Sequence, residues 1–327
     1  MTPCSNSRPF TSAKVGRIME AGPWLLVEAR MRSKITGDSL TAYAFLLPGF
    51  LFLAVWIIYP MLKALQISAY DWSIMPGQVS EFVGLDNYVR ALHDGLFWLS
   101  FKNTLLYAGV TVSGQLVLGL VVALMLDQIT KGRVAFRAVY YLPVVTSWVV
   151  VSLLFKYLFN ASPAGLINYL LVDILHVLSA HIPWLNEPET AFVAIYSLGI
   201  WKGVGWTMVI FLAALQSIPA EYHEAASIDG ASSWQIIRLI TLPLLIPTMI
   251  LVMIMLTIGA FQAYIQVALI TGGGPLHRTE VLLSYMYDRA FTDLDFGYAA
   301  ALSYVLIFVV FVISQLQLRF LRSEPMY

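Results

Sequence analysis

Six stretches of apolar residues, separated by polar segments, dominate the chain. They fall at about 42–69, 103–127, 136–159, 190–216, 243–271 and 297–318, each nearly free of charge. A helix of about 20 apolar residues crosses the hydrocarbon of a bilayer, and each stretch is long enough. The pattern predicts an all-α integral membrane protein with six transmembrane helices. The first begins after Asp38-Ser39, a helix-starting pair, and contains Pro48 and Pro60. A membrane helix tolerates proline where neighbours satisfy the freed carbonyls.

Lysine and arginine give an orientation. The leading tail carries Arg8, Lys14, Arg17, Arg30, Arg32 and Lys34, the second loop Lys131 and Arg133, and the C-terminal end Arg319 and Arg322. The first, third and fifth loops hold acids instead, among them Asp71, Glu81, Asp86, Asp173, Glu187, Asp288 and Asp293. The positive-inside rule places both termini and the even-numbered loops in the cytoplasm. The fourth loop, with only Arg238, follows the rule weakly. Aromatics at the span ends, such as Tyr70, Trp72 and Trp98, suit the headgroup zone.

Composition agrees with a membrane protein. Of 327 residues, 59% are hydrophobic and 12% charged, against about a quarter charged in soluble domains. The formal net charge of zero gives no reason to expect a nucleic-acid partner. Cys4 is the only cysteine, so neither an intrachain disulfide nor a cysteine metal site can form. The five histidines make no metal-spaced pair, no Ser–His–Asp set can be argued, and no phosphate-binding loop occurs. No catalytic, cofactor or metal site is expected in this chain. No cleavable signal is evident, since Trp24–Val27 is too short for one. Residues 1–40 read as a cytoplasmic tail, residues 41–322 as a single membrane domain, and residues 323–327 as a cytoplasmic end. Met31 would also open the chain sensibly.

Residues 218–247 are the most informative segment. Pro219 suits a first helical turn, and Glu221 and Glu224 complement the helix dipole. Ala225 and Ala226 let another surface approach closely. Asp229-Gly230 breaks the helix, with Asp229 able to cap the next segment, and Pro243 and Pro247 mark the return to the membrane. A helix–turn–helix knuckle therefore hangs between spans four and five, longer than a plain connection requires.

Glu224-Ala225-Ala226, then Gly230, then Ile240 and Leu242-Pro243, resembles the EAA signature of ABC-importer permease subunits at every fixed position. Further stretches resemble the carbohydrate branch of maltose-type and glycerol-3-phosphate-type permeases. They are Phe82–Tyr88, Tyr140-Tyr141-Leu142-Pro143, Thr271-Gly272-Gly273-Gly274-Pro275 and Phe296–Ala301. The likeness runs over most of residues 40–322. It departs at Ile237, Leu239 and Tyr264-Ile265, the last near the translocation path. The resemblance implies a type I ABC importer permease fold in a cell inner membrane, with the knuckle as coupling helix. It implies an importer of a sugar or polyol phosphate working by alternating access. The implied partners are a second permease, two copies of a cytoplasmic ATPase domain that carry ATP and magnesium, and an external solute-binding protein. A secondary, ion-coupled transporter is the alternative, but no Asp or Glu lies deep in any span.

Polar residues inside the spans need a reason, because insertion of a charge costs about 2.5–3.5 kcal/mol at mid-helix. Lys63 and Lys156 can snorkel from span ends. Lys202, midway along span four, either faces a wet cavity or a partner helix, or snorkels. Gln262, Tyr264 and Gln266 on span five could hydrogen-bond a sugar and offer it an aromatic face, or could bond neighbouring helices. Trp201, Trp206, Tyr196 and Asn168 are weaker candidates.

Overall fold

The computed structural model describes residues 41–74, 79–129, 131–162 and 165–321. The predicted end segments 1–40 and 323–327 lie outside the described residues. The chain divides into two compact units, with the boundary between Ala64 and Leu65. Of the first, residues 41–64 are described, and none of them is buried.

Five helices are long and apolar enough to cross a membrane: Thr41–Ser68, Gly95–Gln128, Pro188–Gln216, Ser233–Ala260 and Phe296–Arg319. These are spans one, two, four, five and six. Span three is a broken pair, Arg133–Val145 and Trp148–Leu158, bent by 93°. All six predicted spans are therefore present, with three revisions of shape. Span two starts eight residues before its apolar run, at Gly95, where the Asp94 carboxylate caps the helix, and polar Asn103 and Thr104 find partners inside the protein. Asn103 donates to the carbonyls of Arg278 and Glu280 at 2.9 and 2.8 Å, and Thr104 accepts from the Leu282 N–H at 2.8 Å. Span five starts ten residues early, because Pro243 does not end the helix. Span three is not straight.

The prolines explain part of this. Pro60 and Pro243 have no N–H and crowd the carbonyl four residues earlier. Each follows by two residues the end of a π-helical turn, Ala54–Ile58 and Ile237–Thr241. The wider turn lets the helix pass through the proline instead of stopping. Pro143 sits in the last turn of the first half of span three. There Thr146 and Ser147 turn extended and the helix ends.

Span four is the axis of the second unit. More than half of its apolar window is buried, 56% against 17% for span five and 28% for span six. Ile195, Leu198, Met208 and Phe211 are fully buried along it. Spans two and four run parallel, since Tyr107 lies beside Gly199, Gln115 beside Gly203 and Gly119 beside Thr207. Small residues at these crossings bring the backbones close, which is how membrane helices gain packing energy without a hydrophobic drive between them.

A two-stranded antiparallel ribbon, Tyr70–Asp71 with Glu81–Phe82, follows span one. At the start of span two, Asp94 accepts from the Leu96 N–H at 2.9 Å, from Tyr298 at 2.6 Å and from Tyr285. Burial pushes this carboxyl up, but the two phenols and the backbone N–H groups of Leu96 and Phe97 outweigh it and hold it below the ordinary aspartate value. This acid ties spans two and six to the helix Leu282–Phe291.

Candidate functional site: a chamber and a knuckle

Two features separate from the packing. The first is a chamber of about 650 Å³, walled by spans two to five and the turn beyond span five. Span two contributes Tyr107, Thr111 and Gln115, span three Val144 and Trp148, and span four Lys202 and Trp206. Gln262 and Gln266 close it from the span-five side. The volume lies in the range of small-molecule sites, about 300–1,000 Å³.

The three candidates placed on span five do not share one helix. Span five ends at Ala260, residues 261–264 form a turn, and a short helix follows at Ile265–Ile270. Irregular backbone at membrane depth is tolerated where it lines a cavity. Gln262 and Gln266 line the chamber, and Gln266 donates to the Tyr107 hydroxyl at 3.0 Å. Tyr264 is not in the lining, and its ring packs against Tyr287 with centroids 4.7 Å apart.

Lys202 lies in the chamber wall at 5% exposure and does not snorkel. Its ammonium donates to the carbonyls of Thr146, Pro143 and Val144 at 2.6, 2.7 and 3.3 Å. Its partners are thus backbone, where span three breaks. Of the weaker candidates, Trp206 lines the chamber while Trp201, Tyr196 and Asn168 do not. Asn168 is consumed by loop structure: it donates to the carbonyls of Asn160, Ala161 and Ile182, and accepts from the Ile182 and Trp184 N–H groups. Sequence reasoning missed Tyr107, Gln115 and Trp148. Gln115 carried a signal, as an amide inside an apolar run, whereas an aromatic in a chain so rich in them carries none.

The second feature is the knuckle. Its helix spans Ala220–Ile228, with no buried residue. Gly230 follows at φ +79°, the left-handed region that favours glycine. The cap of the next helix is Ser232 and not Asp229. Ser232 and Gln235 form a reciprocal capping box, and Asp229 ends the first helix. Glu224, Ala225, Asp229 and Gly230 are exposed, while Ala226 and Ile240 are half-buried. Leu242 and Pro243 are half-buried at the root of span five. Tyr222, Ile228, Trp234 and Leu239 also present apolar surface there, at 47, 86, 67 and 68% exposure. His223 reaches Thr241 at 3.3 Å, which joins the knuckle helix to the root of span five. No group of three or more metal-ligating side chains occurs among the described residues.

The family of binding-protein-dependent transport system inner membrane components matches residues 115–322, which include the knuckle and all of the chamber lining except Tyr107 and Thr111. The chain belongs to this family. It is a membrane permease and not an enzyme. A probable ABC transporter permease of Bacillus subtilis is 32% identical over 88% of this chain and 98% of its own. The lactose transport system permease protein of Rhizobium radiobacter is 35% identical over 85% of this chain and 93% of its own. Among solved structures, a bacterial ABC transporter involved in the import of the acidic polysaccharide alginate has a chain that superposes with a TM-score of 0.75. It is 26% identical, over 90% of this permease and 98% of that chain. The permease therefore has the type I importer fold. Nothing in these likenesses supports an ion-coupled transporter.

Proposed function

We propose that this permease imports a sugar, delivered by an external binding protein, by alternating access. The observation that carries the reading is the chamber. Its lining combines the indoles of Trp148 and Trp206 with the amides of Gln115, Gln262 and Gln266, and no carboxylate lines it. Sugars are held by flat apolar contact together with directional neutral hydrogen bonds, and this lining supplies both. The lactose permease among the relatives and the alginate importer among the solved structures support a saccharide cargo.

In this reading a second permease completes the pathway, and two ATPase domains, which hold ATP and magnesium, dock on the knuckles, one on each permease. Glu224, Ala225, Ala226 and Gly230 form the docking face, while Ile240, Leu242 and Pro243 carry its movement into span five. The termini and knuckle face the cytoplasm, and the acid-rich loops face the binding protein.

The test is uptake of radiolabelled lactose, maltose, sucrose, trehalose and glycerol phosphate by the assembled importer in liposomes. At least one neutral sugar is expected to accumulate. Gln266→Ala should raise its KM about ten-fold, the scale of one lost hydrogen bond of roughly 1.4 kcal/mol. Uptake of none of the neutral sugars, or an unchanged KM in the variant, would count against the chamber as the sugar path.

A further inference from the structure

Lys202 presents a problem that transport alone does not explain. A lysine ammonium has three donors, and here three carbonyls of one strand of backbone receive them. Those carbonyls, from Pro143, Val144 and Thr146, belong to the place where the first half of span three ends. A helix end leaves its last carbonyls without N–H partners, and in hydrocarbon no water replaces them. A cation at a helix C-terminus also meets the favourable end of the helix dipole.

The same ammonium lies 4.9 Å from the ring centroid of Trp148, the first residue of the second half. One side chain therefore holds both sides of the 93° bend. The geometry of span four permits it. A Cβ on Gly205 would meet the Tyr140 carbonyl oxygen at 2.0 Å, so only glycine lets the first half come this near. Val144 and Trp148, on either side of the bend, both line the chamber.

We propose that Lys202 is a positioning residue that locks the bend of span three and thereby sets the shape of the chamber wall, without itself binding the cargo. The part that concerns the chamber rests on the sugar-path reading above; the part that concerns the bend does not. With its three donors engaged, the ammonium has none left for a cargo hydroxyl or anion. Its charge is directed into the protein, at the carbonyls, and Trp148 covers it.

Spin labels at Arg137→Cys and Lys156→Cys, in a Cys4→Ser background, report the distance between the two halves of span three in the assembled importer. Wild-type protein and Lys202→Arg, which keeps a cation and its donors, should give one narrow distance distribution. Lys202→Met should broaden or shift it. The KM for the sugar that the wild type accumulates should rise about ten-fold in Lys202→Met, and Lys202→Arg should recover most of the loss. Should Lys202→Met fail to assemble, Lys202→Gln takes its place with the same expectations. An unchanged distribution in the neutral variant overturns the lock. So does loss of uptake at wild-type distances, which would make Lys202 a direct ligand. A changed distribution with an unchanged KM overturns the link to the chamber. The distance measurement needs no cargo, so it stands even if Gln266→Ala shows that sugars take another path.

Discussion

Glu224→Lys is expected to abolish uptake in the assembled importer while the complex continues to hydrolyse ATP. Glu224 is exposed on a helix that buries none of its residues, so reversing its charge disturbs little within this chain. In the proposed docking of the knuckle on an ATPase, the loss comes from that interface. Like charges brought together at a protein interface cost several kcal/mol, enough for a more than ten-fold fall in uptake. Gly230→Leu should act on the same step by a different route. A Cβ at Gly230 meets nothing within 4 Å, so sterics with neighbours are not the cause. The left-handed φ of +79° costs a leucine about 1–2 kcal/mol, which shifts the turn and re-aims the helix. Side-by-side assays of sugar uptake and binding-protein-stimulated ATP hydrolysis check both variants. Wild-type coupling in either would be evidence against the knuckle as the coupling element.

Gly205→Ala is expected to have the largest effect on the permease itself. One methyl group placed 2.0 Å from the Tyr140 carbonyl oxygen, and 3.1 Å from a methyl of Val144, must push span three away from span four. The obstacle is backbone, which cannot rotate aside, so the cost should reach about 3 kcal/mol, the upper end for an overpacked core. Gly109→Ala is the control. Its Cβ would meet nothing within 4 Å, and an exposed helical glycine-to-alanine exchange is expected to be neutral or slightly stabilising. Thermal melting of the purified importer followed by size-exclusion chromatography measures both. A lower melting temperature for Gly205→Ala alone is the expected result.

Much of this arrangement could be read from the chain. The six spans follow from apolar runs, and the knuckle follows from Pro219, two alanines and Asp229-Gly230. Where the reading went astray, the cause was tertiary partnership that leaves no local signal. Asn103 and Thr104 open the apolar run of span two, yet the helix begins eight residues earlier, and loop backbone near Arg278–Leu282 satisfies both. Pro243 looked like a boundary, but a π turn absorbs it. The bend at Thr146-Ser147 lies inside a run of valines that reads as uninterrupted helix. Pro143 lies just before it, and what meets it from another span, Lys202 and the close approach at Gly205, leaves no mark in the local sequence. The Lys202 charge itself was legible as an anomaly, but the carbonyls that receive it were not. Likewise Gln262 and Gln266 were legible as polar residues at membrane depth. Tyr264 belongs with Tyr287 because the chain turns after Ala260, a break that no proline announces.

The knuckle as a lever moved by a separate ATPase is the claim on which the mechanism depends. The decisive measurement is sugar accumulation in liposomes that hold the two permeases and the binding protein, with and without the ATPase and magnesium–ATP. Accumulation against a gradient only when ATPase and nucleotide are both present is the predicted result. Accumulation by the permeases alone, driven by an ion gradient, would contradict it.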